Sequence, residues 1–496
     1  MNKKTLMAAM VAVSAFASGY AYEGPTFELA CWRGEETIVR VPDNLVGELD
    51  AAASEEGVRV ERLWLHPVKS AAAVGSLNVI ERYDRIGSSA DGSGAGPALV
   101  KVSVSATAAP GWHSFGAVRV RVVDRTLPPP AEWKYLLDLW QHPWAIARTA
   151  GVKPFSPEHY AAMEPVYRAL AWCGVKSLTT TLLELPWNHQ CYDAYHSMIG
   201  RVRGADGKWT FDYRLFDEYV EFGRRCGLGP RIDCYTMCPW GYVVRWRDEA
   251  GEIRRAVAKP GTREFEDYWG DFLPDFARHL KAKGWFDDTF IAMDERSPED
   301  VRLIAEFIRA RVPDFKIQMA GNRNPADFQG ITIHSYSQGV NHMTPEFIAE
   351  TARRRAAGLV TTAYVCCEPL RPNTFLTSPE GEAFWLGVYP AFTGLDGFLR
   401  WAANSWPLDP CADAAFGNWA PGDTFLVYPG GELSLRLAEL RAGIVAAEKL
   451  RLLADAGELA AERGKIAADF GDYRRAMNGQ IDFRRARREI EALVNR

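Results

Sequence analysis

The sequence lacks the features that would place it in several specialised classes of protein. Its 496 residues include 58 Lys and Arg against 63 Asp and Glu, a formal net charge of −5. It has no basic excess of the kind that attracts nucleic acid, and we expect no nucleic-acid partner. With 47% hydrophobic and 24% charged residues, its composition is that of an ordinary globular protein. This composition excludes an intrinsically disordered chain, a collagen-like repeat and a polytopic membrane protein.

The nine cysteines also lack a recognisable framework. An odd number at irregular spacing is not typical of a disulfide-stapled domain. Cys226, Cys234 and Cys238 follow His189 and Cys191, and these are residue types that bind zinc. No paired C-x-x-C motif accompanies them, so we predict no metal site and no cofactor. We expect the cysteines to be small buried side chains, with one or two disulfides as an open alternative.

The N-terminus, by contrast, has the pattern of an export signal. A basic start containing Lys3 and Lys4 precedes an apolar stretch at 5–17, which at about 13 residues is too short to span a bilayer. Small residues follow at the spacing of a cleavage site, ending at Ala17 or Ala21. A buried N-terminal helix is the alternative. We predict a signal peptide over 1–21, an exported protein that is periplasmic or secreted, and no membrane insertion.

Residues 22–130 have the alternating pattern of short β-strands. Apolar and polar residues alternate at 98–104 and 118–123, and Gly-, Ser- and Asp-rich turns separate such runs. This pattern predicts a β-sandwich domain. The three prolines at 128–130 are typical of a stiff linker and indicate a domain boundary.

From residue 131 the pattern changes to a repeated order of strand, loop and helix. Eight strand candidates alternate with amphipathic helical segments, which is typical of an α/β fold of the (β/α)8 TIM-barrel type. A doubly wound sheet is the alternative, but no glycine-rich phosphate loop follows the first strand. We predict a catalytic barrel over 131–455 and a C-terminal helical tail over 456–496 that packs on it. The eight predicted strands are 135–140, 175–183, 231–235, 289–294, 316–320, 331–336, 360–365 and 397–402.

The carboxyl ends of these strands, where active sites of this fold lie, are rich in aromatic, amide and acidic side chains. The chain has 17 Trp and 18 Tyr, whose flat rings suit the faces of sugars. Asp294 and Glu295 come directly after the apolar run 290–293 of the fourth strand. Two acids at the mouth of a buried strand favour a catalytic role. The alternative is structural, with Asp294 capping the next helix and Arg296 neutralising the pair.

Two neighbouring acids in different environments have different pKa values, so that one stays protonated as a general acid while the other stays ionised. This division fits a hydrolysis in which the 2-acetamido oxygen of the substrate is the nucleophile and no enzyme carboxylate attacks the anomeric carbon. Glu295, with the longer side chain, would protonate the leaving oxygen. Asp294 would hold the acetamido N–H and stabilise the oxazolinium-like intermediate.

Four segments, in order along the predicted barrel, carry a resemblance to a known family. They are 141–148, the Asp294-Glu295 pair, 396–401 with Trp406, and 426–430 followed by Ser434, Arg436 and Arg441. Over 130–455 the chain resembles glycoside hydrolase family 123, the β-N-acetylgalactosaminidases. The resemblance implies an exo-acting, retaining, substrate-assisted enzyme that releases β-linked N-acetylgalactosamine from glycans or glycolipids without a metal.

The same resemblance implies roles for individual residues. Asp294 orients the acetamido group, and Glu295 is the general acid/base. N-acetylgalactosamine, rather than N-acetylglucosamine, as the sugar rests on the resemblance alone. Each aromatic pocket candidate has barrel packing as its alternative. The further substrate-binding residues that we predict at the strand ends are His142, Tyr235, Asn322, His334, Tyr336, Tyr364, Trp401 and Trp406.

Two other functions stay open. An ordinary retaining glycosidase could use Glu295 as the acid/base and Glu368, near the seventh strand, as the nucleophile, with the carboxyl groups about 5–5.5 Å apart. The pair Cys366-Cys367 before Glu368 is unlike the strand that carries such a nucleophile. A non-catalytic carbohydrate-binding protein is the second, but a site that only binds has no need of two adjacent acids. In each case we expect a carbohydrate as the partner.

Overall fold

The structure is a computed structural model that describes residues 26–42, 44–45, 51–72, 76, 78–88, 96–328 and 330–496. The predicted signal peptide at 1–21 lies outside the described residues. The chain divides into two compact units, one from the described parts of 1–66 and 86–127 with 495–496, the other from those of 67–85 and 128–494. The division after Leu127 falls at the proline run, and the segment 67–85 belongs to the unit that contains the barrel.

The N-terminal part of the described chain is all strand: β1 (Phe27–Arg33), β2 (Glu36–Arg40), β3 (Ala52–Glu55), β4 (Val58–Ala71), β5 (Val79–Gly87), β6 (Ala98–Val104), β7 (Gly111–Phe115) and β8 (Val118–Thr126). One sheet has the order β1-β8-β7 and the other β2-β6-β4-β3, with β5 paired to β4. The two sheets share a core because their strands alternate. In β8, Val118, Val120 and Val122 are buried while the arginines between them are half-buried. This confirms the predicted β-sandwich.

The strands of the second unit are β9 (Leu136–Leu139), β10 (Ser177–Thr181), β11 (Gly200–Arg203), β12 (Trp209–Asp212), β13 (Arg231–Tyr235), β14 (Val243–Asp248), β15 (Ile253–Val257), β16 (Thr289–Asp294), β17 (Lys316–Gly321), β18 (Ser335–Gly339), β19 (Val360–Val365) and β20 (Gly397–Arg400). Eight of them form one parallel sheet in the order β10-β13-β16-β17-β18-β19-β20-β9. Its two ends meet where Leu137 pairs with Val175 and the Lys176 N–H donates to the Leu137 carbonyl (2.8 Å). The predicted (β/α)8 barrel is confirmed.

The helices are α1 (Pro143–Ala150), α2 (Pro157–Trp172), α3 (Arg214–Arg225), α4 (Arg263–Trp269), α5 (Phe272–Lys283), α6 (Pro298–Arg311), α7 (Pro345–Ala356), α8 (Glu382–Thr393), α9 (Leu435–Asp455), α10 (Ala460–Phe470), α11 (Tyr473–Met477) and α12 (Phe483–Val494). Several begin with a polar cap followed by proline, as at Ser156 and Ser297, whose hydroxyls accept the N–H groups of His159 and Asp300. Among the described helices, none has the length and apolarity needed to cross a bilayer.

The sixth barrel strand begins four residues later than predicted. Ile331 and Ile333 suggest a strand by their alternation, but the strand is the more polar segment Ser335–Gly339. Small polar residues fit here because the barrel interior is itself polar near this strand. The Ser337 hydroxyl, for example, forms a hydrogen bond with that of Thr362 on β19. The shift changes which residues lie at the mouth of the barrel.

The barrel floor, towards the N-terminal ends of the strands, contains a buried charge network. The Arg231 Nε donates to both carboxylate oxygens of Asp233 (2.8 and 3.0 Å), and its Nη1 donates to the Ser335 hydroxyl (2.9 Å). Nearby, the Ser177 hydroxyl donates to Asp138 (2.5 Å). Buried charges need such partners, because an unpaired one would cost several kcal/mol. The floor is therefore closed by paired polar groups.

Candidate active site

Asp294 and Glu295 face the same space because the chain changes conformation between them. Asp294 is the last residue of β16, and Glu295 follows with a φ of 47°. Successive residues of an extended strand point to opposite faces, whereas the left-handed conformation turns the Glu295 side chain towards that of Asp294. This conformation costs a non-glycine residue about 1–2 kcal/mol. The Glu295 N–H donates to the Ala320 carbonyl on β17 (2.8 Å), which anchors the turn.

Both carboxyl groups line a depression at the C-terminal end of the barrel, with about 480 Å³ of space counted out to its open mouth. Five of its twelve lining residues are aromatic, and a few polar groups accompany them. This is the usual composition of a site for a small polar ligand. The lining residues are Trp140, Gln190, Trp240, Asp294, Glu295, Ala320, Tyr364, Cys366, Cys367, Leu399, Trp401 and Trp419.

The position of Trp401 in the wall is set by a buried ion pair behind it. The Trp401 indole N–H donates to Asp423 Oδ1 (3.0 Å), and Arg400 Nη2 donates to the same oxygen (2.6 Å). Arg400 and Asp423 are both fully buried. On the pocket side the ring of Trp401 packs against Trp419, with ring centroids 5.3 Å apart. Asp423 therefore positions one aromatic wall without lining the pocket itself.

Tyr364 on β19 holds the second acid. Its hydroxyl donates to Glu295 Oε1 at 2.5 Å. Burial, together with the negative charge of Glu295, raises the pKa of Tyr364 well above its usual value. The phenol therefore stays protonated and remains a donor at any physiological pH. Glu295 is fixed from two sides, by this hydrogen bond and by its anchored main chain.

Asp294 is the electrostatically strained member of the pair. Burial raises its pKa to about 7, the neighbouring charge of Glu295 adds to the rise, and Arg296 and the Trp187 indole oppose it. The Arg296 Nε donates to the main-chain carbonyl of Asp294 (2.8 Å). The carboxyl group of Asp294 therefore titrates near neutral pH. A shift of this size at a pocket is typical of functional acids.

Of the predicted substrate-binding residues, Tyr364 and Trp401 line the pocket, while Tyr235 and His142 support it from behind. The Tyr235 hydroxyl donates to Gln318 Oε1 (3.2 Å), and its ring packs against Trp140 (centroids 4.6 Å apart). His142 donates through Nε2 to the Asp193 carbonyl (3.1 Å), and burial lowers its pKa to about 3. The imidazole is therefore neutral.

Two further candidates lie near the mouth but are not among the lining residues. The buried Trp406 indole N–H donates to the Val427 carbonyl (2.6 Å), so this ring is part of the packing. Asn322 is half-buried just after β17.

His334 and Tyr336 require correction, because the structure does not bring them to the pocket. His334 precedes β18, at the opposite end of the barrel, where its Nδ1 accepts the Ile317 N–H (3.0 Å). Tyr336 points outward, with its hydroxyl donating to the Arg323 carbonyl (2.5 Å) and its ring beside Phe347 of α7. Both errors come from the four-residue shift in the start of the sixth strand.

The site residues predicted from the sequence include four of the twelve residues that line the pocket, and the other eight were missed. Trp140, Trp240, Cys366 and Cys367 come directly after barrel strands or a few residues later, so their positions could have identified them. Gln190 and Trp419 could not have been found in this way. They lie in long loops and meet through a hydrogen bond from the Trp419 indole to the Gln190 carbonyl (2.8 Å). No local pattern predicts a contact between loops so distant in sequence.

Two of the segments singled out in the sequence form the frame of the site. The Gln141 side chain accepts the Thr179 N–H (2.8 Å) and so bridges the β9–β10 seam. Farther along, Arg436 donates to both oxygens of the buried Asp84 (3.1 Å each), and the Tyr428 hydroxyl donates to the same carboxylate (2.7 Å). Arg436 also donates to three loop carbonyls, those of Thr374, Gly422 and Phe425. These contacts hold the loop that contains Asp423.

The residues of zinc-binding type do not converge. Cys226, Cys234 and Cys238 are each buried, and Thr180 donates its hydroxyl to the Cys234 sulfur (3.3 Å). In the part of the chain that the structure describes, no group of three or more His, Cys, Asp or Glu side chains is arranged to hold a metal ion.

A family model for the glycoside hydrolase 123 catalytic domain matches residues 140–453. The match runs from the end of β9 through most of α9 and includes every lining residue of the pocket. The chain belongs to glycoside hydrolase family 123. Its barrel is therefore the catalytic domain of a glycosidase, and its substrate is a carbohydrate.

A solved family 123 structure has the same fold. It is the family 123 glycoside hydrolase from Clostridium perfringens, described in connection with glycolipid glycan hydrolysis, with a TM-score of 0.81 at 22% identity over 95% of this chain and 93% of that one. An endo-β1,6-glucanase and a maltogenic α-amylase from Thermotoga neapolitana have TM-scores of 0.36 and 0.37 at 10% and 11% identity. They cover 68% and 64% of this chain and 81% and 77% of their own. None of the curated proteins compared with the chain matches it.

Glu368, the alternative nucleophile, does not line the pocket of this glycosidase. Its side chain is exposed, and one of its oxygens accepts a long hydrogen bond from Asn341 Nδ2 (3.4 Å). The two preceding residues, Cys366 and Cys367, face the pocket instead. An ordinary retaining mechanism needs the nucleophile beside the anomeric carbon, which this placement does not favour.

Proposed function

We propose that this family 123 enzyme is an exo-acting, retaining β-N-acetylgalactosaminidase whose nucleophile is the 2-acetamido group of its own substrate. One observation carries the proposal. Among the described residues that line the pocket, the carboxylates are Asp294 and Glu295, which are adjacent in sequence. An enzyme nucleophile would need a carboxylate on the other side of the bond, about 5–5.5 Å from the acid. Two acids on one strand end suit one acid/base and one residue that orients the acetamido group.

The proposed reaction has two steps. Glu295 donates a proton to the glycosidic oxygen while the C1–O bond breaks, and the acetamido carbonyl oxygen forms a bond to C1. The alcohol leaves with that proton, and the sugar becomes an oxazolinium ion. The Glu295 carboxylate then takes a proton from water, whose oxygen attacks C1 and reopens the ring. Two displacements at C1 retain its configuration, and Glu295 ends the cycle protonated.

Asp294 would act on the acetamido group. Its carboxylate accepts the acetamido N–H, which makes the carbonyl oxygen a better nucleophile and offsets the positive charge of the oxazolinium ion. A hydrogen bond from an N–H favours the ionised form of a carboxyl group. Because the pKa of Asp294 is about 7, substrate binding is coupled to the loss of its proton. Binding of an acetamido sugar should therefore strengthen as the pH rises through 7.

The pocket supports this role in two further ways. Tyr364, at 2.5 Å from Glu295, keeps the acid/base in one orientation throughout the cycle. The rings of Trp401 and Trp419 offer the flat apolar surfaces on which a pyranose packs.

The identity of the sugar and the aglycone rests on relatives rather than on contacts. The family 123 enzyme from Clostridium perfringens is described as acting on glycolipid glycans. We infer the same broad class here, a glycolipid or another glycan that ends in β-linked N-acetylgalactosamine. We also infer that residues 1–21 direct export, which would bring the enzyme to such glycans. Mass spectrometry of the N-terminal peptide of the mature protein, purified from its native host, tests the export step. A chain that begins after residue 21 would support it, and one that still contains residues 1–21 would contradict it.

The direct test of the activity compares four 4-nitrophenyl β-glycosides, those of N-acetylgalactosamine, N-acetylglucosamine, galactose and glucose. We expect the N-acetylgalactosaminide to be cleaved fastest. The two sugars without an acetamido group should react at least about 10³-fold more slowly, since they lack the internal nucleophile. Equal or faster cleavage of the galactoside would overturn the mechanism. Preference for the N-acetylglucosaminide would overturn the sugar assignment alone.

Two ligands separate the mechanisms without turnover. A thiazoline made from N-acetylgalactosamine resembles the bicyclic intermediate, so we expect it to inhibit competitively and more tightly than the free sugar. A 2-deoxy-2-fluoro galactoside would trap an enzyme nucleophile if one existed. A covalent sugar on Glu368, or on any other carboxylate, would contradict substrate assistance.

A further inference from the structure

The wall of the pocket contains two adjacent thiols that the proposed reaction does not use. Cys366 and Cys367 follow directly after β19, and both are half-buried lining residues. Their sulfur atoms lie 3.9 Å apart. Adjacent side chains on an extended chain point to opposite faces. This pair has left the strand, and both residues line the same cavity.

The main chain around the pair is fixed, which keeps the sulfurs together. The Cys366 N–H donates to the Glu368 carbonyl (3.1 Å), and the Cys366 thiol lies 3.7 Å from the same oxygen. The Asn373 Nδ2 donates to the Cys366 carbonyl (3.0 Å) and to that of Pro369 (2.7 Å). A tight turn, held by its own amide and by one buried side chain, thus keeps both cysteines in the wall of the pocket.

We propose that Cys366 and Cys367 are a redox-active dithiol, which a low-molecular-weight or protein disulfide oxidises to a vicinal disulfide and which thereby alters sugar binding. The inference rests on the proposed function in one respect, the location of the bound sugar in this pocket. The oxidation itself does not depend on that function.

The chemistry is ordinary thiol–disulfide exchange. The Cys367 thiolate attacks one sulfur of the external disulfide RSSR, forms a mixed disulfide and releases RS⁻, which takes up a proton. The Cys366 sulfur then loses its proton and attacks Cys367 Sγ, which releases the second RSH. Two cysteine thiols are oxidised, and one RSSR is reduced to two RSH. Cys367 is the first nucleophile because a hydrogen bond from the Cys366 thiol lowers its pKa.

The expected effect falls on binding. A disulfide bond is about 2.05 Å long, so the two sulfurs must approach each other from 3.9 Å, and the wall between Tyr364 and Trp401 changes shape. Both thiols also lose their S–H donors. The Tyr364–Glu295 hydrogen bond originates on the strand before the pair, so we expect proton transfer to be less affected than affinity.

The experiment treats the reduced full-length enzyme with oxidised glutathione at pH 8 and measures two quantities. Peptide mass spectrometry should show a loss of 2 Da in the peptide that contains residues 366–367, together with the loss of both iodoacetamide adducts. Calorimetry with free N-acetylgalactosamine should show a Kd changed by about threefold or more, reversed by dithiothreitol. Retention of both adducts after oxidation would overturn the dithiol. A 2 Da loss without a change in Kd would overturn its coupling to the sugar.

Three single variants supply the controls. Cys366→Ser and Cys367→Ser should each abolish the 2 Da loss. Cys367→Ser should also abolish the response of the Kd to oxidised glutathione, whereas Cys366→Ser keeps the first nucleophile and should stop at the mixed disulfide with glutathione on Cys367. Cys411→Ser removes another half-buried thiol elsewhere in the unit and should leave both responses intact. A 2 Da loss that survives in Cys366→Ser would also overturn the proposal. If the enzyme bound no acetamido sugar, the proposed function would fail, and the mass measurement would still decide whether the dithiol exists.

Discussion

At the floor of the barrel the buried carboxylate of Asp233 accepts two hydrogen bonds from Arg231, whereas at the mouth the half-buried Asp294 lies beside Glu295. The nearest cation at the mouth, Arg296, donates to the Asp294 main-chain carbonyl. The chain therefore pairs its buried charge where the fold must be closed and leaves an acid without a bonded cation where a ligand enters. Burial raises the pKa of both acids to about 7, so the bonded cation, and not the size of the pKa shift, distinguishes the floor from the mouth.

The backbone follows the same contrast. The floor residues belong to regular strands, while Glu295 has a positive φ and costs the fold about 1–2 kcal/mol. This strained conformation allows two adjacent acids to line one cavity. The mouth thus differs from the floor in its backbone conformation and in having no cation bonded to the Asp294 carboxyl group, and each of the following variants tests one side of that contrast.

The largest effect is expected at Glu295. Replacing it with glutamine removes the proposed acid/base, and we expect kcat on an alkyl or oligosaccharide β-glycoside to fall by about 10³-fold. A 2,4-dinitrophenyl glycoside needs no protonation of its leaving group and should lose far less. Glu368→Gln makes the same chemical change at an exposed acid and should keep kcat within about twofold. An equal loss in both variants would contradict the assignment of Glu295.

At the floor, Arg231→Met should damage the fold rather than the chemistry. It leaves Asp233 buried without its cation, and we expect the free energy of unfolding to drop by about 3–5 kcal/mol in urea denaturation. Arg302→Met breaks an exposed ion pair to Glu306 on α6 and should cost less than about 0.5 kcal/mol. A stability for Arg231→Met that matched the control would mean that the floor network is not needed to close the barrel.

At the mouth, Asp294→Asn should raise the free energy of unfolding, whereas Arg231→Met at the floor should lower it. The folded-state pKa of Asp294 is about 7, above its ordinary value of 3.8, so ionising it opposes folding. That cost is absent below pH 4, grows between pH 4 and 7 and is complete above pH 7. We expect the variant to be more stable than the parent by about 2–4 kcal/mol at pH 8, by much less at pH 5, and nearly inactive on acetamido sugars. If Asp294→Asn were less stable than the parent at pH 8, this would contradict the conclusion that ionised Asp294 destabilises the fold.

The smallest effect is expected at Tyr364. Tyr364→Phe removes the donor to Glu295, and kcat should fall by about tenfold with KM nearly unchanged, because the acid is still present but less well oriented. Tyr389→Phe removes a buried hydroxyl on α8 that has no hydrogen-bond partner, and this variant should change neither kcat nor KM. If Tyr364→Phe also lowered the melting temperature enough to account for the loss of kcat, the hydroxyl would contribute to packing rather than to the positioning of Glu295.

Sequence reasoning succeeded where one local pattern decides the outcome. The run 290–293 and the acids after it predict both a buried strand and the end of it that lines the pocket, and Tyr364 and Trp401 follow from their places at the ends of their own strands. It failed at 331–336, where apolar alternation outweighed the small polar residues that the barrel interior selects. His334 and Tyr336 were misplaced for that reason.

Contacts between distant loops lie beyond such patterns. Trp419 reaches the pocket because its indole N–H bonds to the Gln190 carbonyl, and Trp401 is positioned by Asp423, which no periodicity marks. The conformation of Glu295 is likewise invisible in the sequence, since a positive φ is expected of glycine rather than of glutamate. The sequence thus predicts which strand bears the acids but not the backbone turn that brings both side chains to the same pocket.

The central claim is that the attacking oxygen belongs to the substrate. Successive fluorination of the acetamido methyl group in a 4-nitrophenyl N-acetyl-β-galactosaminide withdraws electrons from that oxygen while the rest of the sugar stays the same. We expect kcat/KM to fall steadily along the series, by about 10²-fold or more from the acetyl to the trifluoroacetyl substrate. Rates that stay within about twofold across the series would contradict the account.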